Sequence, residues 1–282
     1  MNSKDETACD KYDLAEDKLK SFTRSAVRTK VMLCLLAGDL NVRSLETELG
    51  TRTSTILHTV KDMINENLVA KTSQGYALTN VGRIQALLLA ELMNTITVLD
   101  EHQDFWLTHD ISGIPVDLQM KIGMLDQSDM VVGDSMALLK AQEYFMDKVL
   151  ESRKIWGVSP IIIPGYAEAM AIPIQKGAQV DLILTDTILK IVLKEYRDLM
   201  KVLMERDNFR LYRIKDDIKV AFTVTDADLY MGLFRLDGRY DIGQDIHCVG
   251  DGAVAWGLDL FKYYRDLSEP LEKIDLFGDL QF

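Results

Sequence analysis

Thr51, Arg52, Thr53, Ser54 and Thr55 place four hydroxyls and a guanidinium in five consecutive positions, and His58, Thr59 and Lys61 follow one to two helical turns later. On a helix this is chemistry for contacting a polyanion. Small polar side chains in a first turn let the backbone enter a DNA major groove, with longer donors one turn on. Free backbone N–H groups and hydroxyls there suit phosphate oxygens, and Thr51 or Thr53 is placed to cap the helix. Arg52 and His58 offer directed donors for base edges. Lys61, Arg43 and Lys71 suit phosphates, and Gln74 suits a minor groove. A blander reading stands beside this one. A Ser/Thr-rich start can be only a cap, His58 can be only solvated, and such modules also dock on proteins.

No catalytic or metal-binding pattern competes. Of the four histidines, His58, His102, His109 and His247, only the last lies in residues 113–282, and G-x-S-x-G, Walker-type and G-x-G-x-x-G motifs are absent. Cys9, Cys34 and Cys248 are too scattered for a disulfide framework or a paired metal site. Asp226, Asp228, Asp237, Asp241 and Asp251 sit near expected turns and read as turn-forming or solvated acids rather than metal ligands. The expectation is a non-enzyme without metal or cofactor.

Charge is unevenly distributed over the 282 residues, whose net charge is -12. Residues 18–83 hold ten Lys or Arg against five acids, net +5, whereas residues 84–282 are net -13. Phosphate binding is short-ranged at physiological salt, so the local sign matters more than the total. No apolar run reaches membrane-span length, and the acidic start lacks a signal-peptide core. Both features predict a cytoplasmic protein with no membrane association.

The elements that must position these residues follow from periodicity. Residues 1–17 read as a mobile tail. A helix from Ser21 is stopped by Gly38, a second runs Val42 to Leu49 with Gly50 as the turn, and the Thr51–Ile64 stretch is the third. Val69–Thr72 and Tyr76–Thr79 flank Ser73-Gln74-Gly75 as a β-hairpin. Three helices and a hairpin over residues 18–80 are the order of a winged helix-turn-helix. Residues 81–108 continue as one long helix whose apolar face (Ile84, Leu87, Leu88, Leu92, Met93, Ile96, Leu99) is too wide for a small domain to cover. Residues 81–112 are therefore expected to link the domains or to pair in a homodimer.

Beyond Ser112–Pro115, strand-like and helical runs alternate: a helix Val116–Leu125, Met130–Val132, a helix Ser135–Ser152, Ile155–Ile163, a helix Tyr166–Lys176, Val180–Leu184 and a helix Thr187–Glu205. Phe209–Ile214, Val220–Val224 and Leu229–Leu236 then precede a closing helix Ala253–Leu267. Residues 113–270 are thus an α/β domain with a mixed central sheet, and 271–282 a tail. The order would suit a phospholipase-D-like fold, but the H-x-K signature of those enzymes is missing.

Leu49-Gly50-x4-Thr55-Ile56, Asn67-Leu68-Val69 and Tyr76-x-Leu-Thr-x-x-Gly82 resemble winged-helix transcription regulators of bacteria and archaea. The blocks "WGVSPIIIPGY", "VTDADLYMGLFRLDGRYD" and "AVAWGLDLFKYYRDLSEP" resemble regulators from methanogenic archaea, with an arsenic-repressor-like winged helix and a filamentation-regulator-type C-terminal domain. The resemblance covers most of residues 15–270. It implies a transcription factor on double-stranded DNA whose second domain senses a small molecule or a protein. A homodimer would meet a near-palindromic operator. Within the quoted blocks Trp156, Ser159, Tyr166, Tyr240 and Trp256 are candidate ligand contacts beside expected strand ends, although for each Trp a place in the core is the favoured reading. The competing function is a winged-helix module that docks on transcription machinery without reading DNA.

Overall fold

The computed structural model describes residues 7–23, 25–132, 145–163, 165–215 and 217–272. They fall into two compact units, residues 1–93 and 94–282. The boundary lies inside the long helix that the sequence pattern sets apart as a linker.

In the first unit, helix α1 (Ala8–Thr23) occupies most of the segment expected to be a mobile tail. The cause is local. Thr7 and Asp10 cap one another reciprocally, with Thr7 N donating to Asp10 Oδ2 at 2.9 Å and Asp10 N to Thr7 Oγ1 at 3.2 Å. A Glu16–Lys20 pair one turn apart adds to the helix. The single helix expected from Ser21 to Gly38 is therefore two, because Ser25 caps a new start by accepting from Arg28 N, and α2 runs Ala26–Leu35.

Asn41 caps α3 (Val42–Leu49), which stops at a left-handed Gly50. Helix α4 (Thr53–Asn65) follows, then β1 (Val69–Lys71) and β2 (Tyr76–Leu78) as an antiparallel hairpin. Leu40 adds a third rung by exchanging both backbone hydrogen bonds with Tyr76. The apolar faces converge on Val31, Met32, Leu35, Leu45, Ile56, Val60, Met63 and Leu68. Arg28 Nη1 donates to Glu66 Oε1 at 2.8 Å while Nη2 meets Oε2, a two-pronged clamp between α2 and the end of α4. Gly82 opens α5 (Asn80–Glu101) against the hairpin entry, where a Cβ would strike the Leu68 carbonyl oxygen. The last residue of the Tyr-x-Leu-Thr-x-x-Gly motif is thus a close-approach glycine.

The expected 81–108 helix is broken at His102 (φ −118°, ψ 34°), after which α6 runs Gln103–Thr108. The His102 ring turns inward, with Nε2 2.8 Å from Ser128 Oγ, and Trp106 Nε1 donates to the Val98 carbonyl at the break. Short helical turns at Ile111–Gly113, Val116–Gln119 (α7) and Ile122–Leu125 lead to β3 (Ser128–Val132). The Ser135–Ser152 helix lies partly outside the described residues; residues 145–151 are helical (α8).

An eight-stranded mixed sheet organises this unit among the described residues, in the order β10-β6-β5-β4-β7-β8-β9-β3. Its parallel pairs join β4 (Lys154–Ser159), β5 (Gln179–Thr185) and β6 (Phe209–Ile214), and the remaining pairs are antiparallel. Period-two alternation sends successive side chains to opposite faces. Val180, Leu182 and Leu184 of β5 join one apolar cluster, with α9 (Tyr166–Gln175), α10 (Asp186–Glu195) and α11 (Arg197–Leu203). Ile183 joins the other, under α12 (Gly250–Asp266). The expected Thr187–Glu205 helix divides at Tyr196, which is no longer helical (φ −121°, ψ 29°).

Strands β7 (Val220–Thr225) and β8 (Asp228–Phe234) lie where the pattern puts them. Two strands are not foreshadowed by the sequence pattern: β9 (Tyr240–Val249) beyond the Asp237-Gly238 turn, and β10 (Glu269–Leu271), which pairs with β6 and takes in the start of the expected tail.

Candidate functional site

Helix α4 turns Ile56, Val60 and Met63 into its own core and leaves Arg52, Ser54, Thr55, His58 and Lys61 on the exposed side. Arg43 on α3, Lys71 at the end of β1 and Gln74 at the hairpin tip are exposed as well. None of Arg43, Arg52, Lys61 and Lys71 is ion-paired among the described residues, so each retains its charge for an external anion. Thr59 is only half-exposed.

Two expectations for α4 need correction. Neither Thr51 nor Thr53 caps it. Arg52 occupies the capping position without a side-chain cap, Thr51 Oγ1 donates to Leu49 O at 3.3 Å, and Thr53 Oγ1 donates to Glu46 Oε1 at 2.7 Å. The Thr53 hydroxyl ties the start of α4 to α3, while that of Thr51 closes the turn between them onto the end of α3. His58 is engaged on one edge, its Nδ1 3.1 Å from Asp62 Oδ2 one turn along the same helix, and its Nε2 has no partner among the described residues.

In the second unit, five candidate ligand residues separate. Trp256 is fully buried and its Nε1 donates to Leu118 O at 3.0 Å, so it is core. Trp156, on β4, packs against the α12 side of the sheet and lines no cavity described here. Ser159, Tyr166 and Tyr240 do come together, around a cavity of about 100 Å³ on the opposite face. Tyr240 Oη donates to Asp245 Oδ1 at 3.2 Å. Burial pushes the Asp245 carboxyl up to about 6, and the neighbouring Asp241 adds to the rise. Burial likewise raises the phenols of Tyr166 and Tyr240. A second, almost wholly apolar cavity of about 110 Å³ shares Ser159, Ile161, Ile163, Tyr166 and Phe222 with the first.

Two models of one family match the chain in order: "Methanogenesis regulatory protein FilR1, N-terminal domain" over residues 16–97 and "Methanogenesis regulatory protein FilR1, middle domain" over residues 138–267. A curated relative, the methanogenesis regulatory protein FilR1 of Methanothrix harundinacea (strain 6Ac), is 36% identical over 273 residues. The chain belongs to the FilR1 family. The match takes in 95% of the chain and 60% of that FilR1, so the chain spans well under the relative's full length. Among solved structures, TrmBL2, an archaeal chromatin protein, is similar over 92% of this chain and 99% of its own (TM-score 0.42, 12% identity). A phospholipase D family member, Nuc from Salmonella typhimurium, is similar over 52% of this chain and 99% of its own (TM-score 0.41, 10% identity).

This FilR1-family chain has functional groups that its sequence pattern did not single out. Asp245 is one, and its signal was weak: an acid between Gln244 and Ile246 in a segment with no clean alternation. Gly232 is another. It faces Asp245 across the β8–β9 pair, and a Cβ on it would collide with both Tyr240 Oη and Asp245 Oδ1. Asp241, expected to be a solvated turn acid, is buried instead. It accepts from Arg235 Nε at 2.8 Å and from Gly243 N at 3.0 Å, and it faces His109 Nε2 at 3.3 Å. The buried Cys248 thiol is pushed up to about 12 by burial, which suits a packed side chain rather than a redox one. Among the described residues no group of acids, histidines and cysteines is arranged to hold a metal ion, and no helix is long and apolar enough to cross a membrane.

Proposed function

We propose that the chain is a sequence-specific DNA-binding transcriptional regulator whose second unit receives an effector. The observation that carries the reading is the exposed face of α4, where the side chains of Arg52, Ser54, Thr55 and Lys61 have no partner among the described residues on a locally basic unit, with Arg43, Lys71 and Gln74 exposed on the neighbouring α3 and hairpin. Family membership supports the same reading. Arg52 reads a base edge, while Lys61, Arg43 and Lys71 hold phosphates. Thr53 acts indirectly, by fixing α4 on α3, Thr51 holds the turn between them, and His58 offers Nε2 while Nδ1 stays on Asp62. Ser54 and Thr55 offer hydroxyls to phosphate, with the half-exposed Thr59 beside them, and Gln74 enters the minor groove.

Gel-shift titrations at several salt concentrations test these roles. Arg52→Ala is expected to cost about 1–3 kcal/mol on the preferred sequence and to flatten preference at one position. Lys61→Ala should weaken all sequences alike and lower the salt slope by about 1. A complex indifferent to salt, or absent, overturns the reading in favour of docking on a protein partner.

A second copy of the chain completes the operator-binding form. The exposed apolar residues Ile84, Leu87, Leu88, Leu92, Ile96 and Leu99 recur along α5 at helical spacing, and a self-complementary stripe is what a two-fold interface uses. Paired recognition helices would then meet half-sites about 34–36 Å apart on a near-palindromic operator. The double substitution Leu88→Glu and Leu92→Glu should convert a dimer into a monomer by light scattering, with loss of cooperative operator binding. A wild type that is monomeric at micromolar concentration removes the dimer from the proposal.

A further inference from the structure

The cavity of the second unit has the composition of a cation receptor. Its polar side is a partly buried carboxylate, Asp245, which is ion-paired to no Lys or Arg among the described residues. Tyr240 donates one hydrogen bond to it. Aromatic rings make up much of the remaining wall. Phe145 stacks on Tyr166 with centroids 5.6 Å apart and meets Tyr230 edge-on at 4.8 Å, and Tyr240 and Phe222 close the same space. Ring faces attract a cation within about 6 Å, and carboxylate and ring attraction act together on an alkylated ammonium. The second cavity continues past the shared Ser159, Ile161, Ile163, Tyr166 and Phe222 into a space lined by aliphatic side chains.

Three features make this a built receptor rather than a packing defect. Gly232 lies beneath the Tyr240 hydroxyl and the Asp245 carboxylate, where any larger residue would displace both. A carboxylate with no cationic partner among the described residues is a costly thing to hold in an apolar wall. The site is also small: a cavity of about 150 Å³ holds a benzene-sized guest, and the two spaces here are about 100 and 110 Å³.

We propose that this cavity binds a small organic ammonium ion, with its charged head against Asp245 among the rings of Phe145, Tyr166, Tyr230 and Tyr240 and its alkyl part directed into the aliphatic chamber. A divalent metal is disfavoured, because a single carboxylate and a phenol are too few hard oxygen ligands. An anionic guest would face the Asp245 carboxylate.

As an assignment of the signal, this rests on the reading of the second unit as the effector domain; as a binding site, it does not. Titration calorimetry on the full chain with n-butylammonium, n-butanol and butanoate separates charge from shape. The ammonium is expected to bind roughly 10–100-fold more tightly than the isosteric alcohol, the range a charge-assisted hydrogen bond confers, and butanoate not at all. Asp245→Asn should remove that advantage while leaving n-butanol unchanged. Equal binding of alcohol and ammonium, retention of ammonium affinity by Asp245→Asn, or no binding of the ammonium each overturns the inference. The gel shift repeated with saturating n-butylammonium keeps the two proposals apart. Ammonium binding without a change in DNA affinity upholds the site and sinks its role as effector site, whereas intact DNA binding without ammonium binding sinks the site alone.

Discussion

Trp256→Ala is expected to lower the unfolding free energy of the second unit by about 3–5 kcal/mol, the range for deleting a large buried aromatic. Trp256 is fully buried on α12, within the cluster that also contains Leu118, Val224, Leu229 and Leu260. Its indole N–H satisfies the Leu118 carbonyl, so the truncation opens a cavity and also strands an acceptor. Trp256→Phe, which keeps much of the ring volume, isolates the second loss and should cost about 1–3 kcal/mol. Urea denaturation followed by far-UV circular dichroism reads both. The residue carries an aromatic signature that would equally suit a ligand wall, and that gives the experiment its edge. Unchanged stability with lost n-butylammonium binding would return Trp256 to the site.

The ambiguity over Trp256 marks how far local pattern reaches. Asn41 as a cap, Leu45 and Leu49 at helical spacing, Gly50 as a stop and Gly75 in a turn act within a few residues of themselves, so α3, α4 and the hairpin are legible in the chain. The reciprocal cap of Thr7 and Asp10 and the one-turn pairing of His58 with Asp62 are just as local. Both were readable, and the first was masked by a charge density that suggests disorder. Strand β9 was not readable in the same way. Its burial follows no alternation, because part of it lines a cavity and part joins a buried ion cluster at Asp241. Sequence alone makes Asp226, Asp237, Asp241 and Asp245 equivalent. Register separates them: Asp245 opposes Gly232 on β8 and Val131 on β3, whereas Asp237 sits in an exposed turn with Arg239. Similarly, Trp156 and Ser159 lie three residues apart on β4, yet only the serine lines the cavity, a difference set by the pleat.

Asp245→Asn should stabilise the protein at pH 8, an uncommon direction for a substitution in a protein interior, and the sign follows from proton linkage. The carboxyl titrates near 3.9 in an unfolded chain and about 6 in the folded one. Between those values the native state holds a proton that the unfolded state has released, so stability falls as pH rises. Below pH 4 both states are protonated and the group is neutral in its effect. Above pH 6 the penalty is complete, on the order of 2–3 kcal/mol at 1.36 kcal/mol per pH unit. Asparagine keeps the shape and still accepts from Tyr240, but it never ionises, so its advantage should grow from near zero at pH 4 to that value at pH 8. Asp241 works in the opposite sense. Its carboxyl is held low by Gly243 N, Arg235 and His109 against the cost of burial, so its contribution is present above pH 4 and is lost only as pH falls further. Urea midpoints at pH 5 and pH 8 therefore isolate Asp245. A saturating ammonium should reproduce the same gain in the wild type at pH 8, because it supplies the neutralising charge that the substitution makes unnecessary. If Asp245→Asn is instead the less stable protein at pH 8, the carboxylate already has a favourable partner, and the cavity has no reason to recruit a cation.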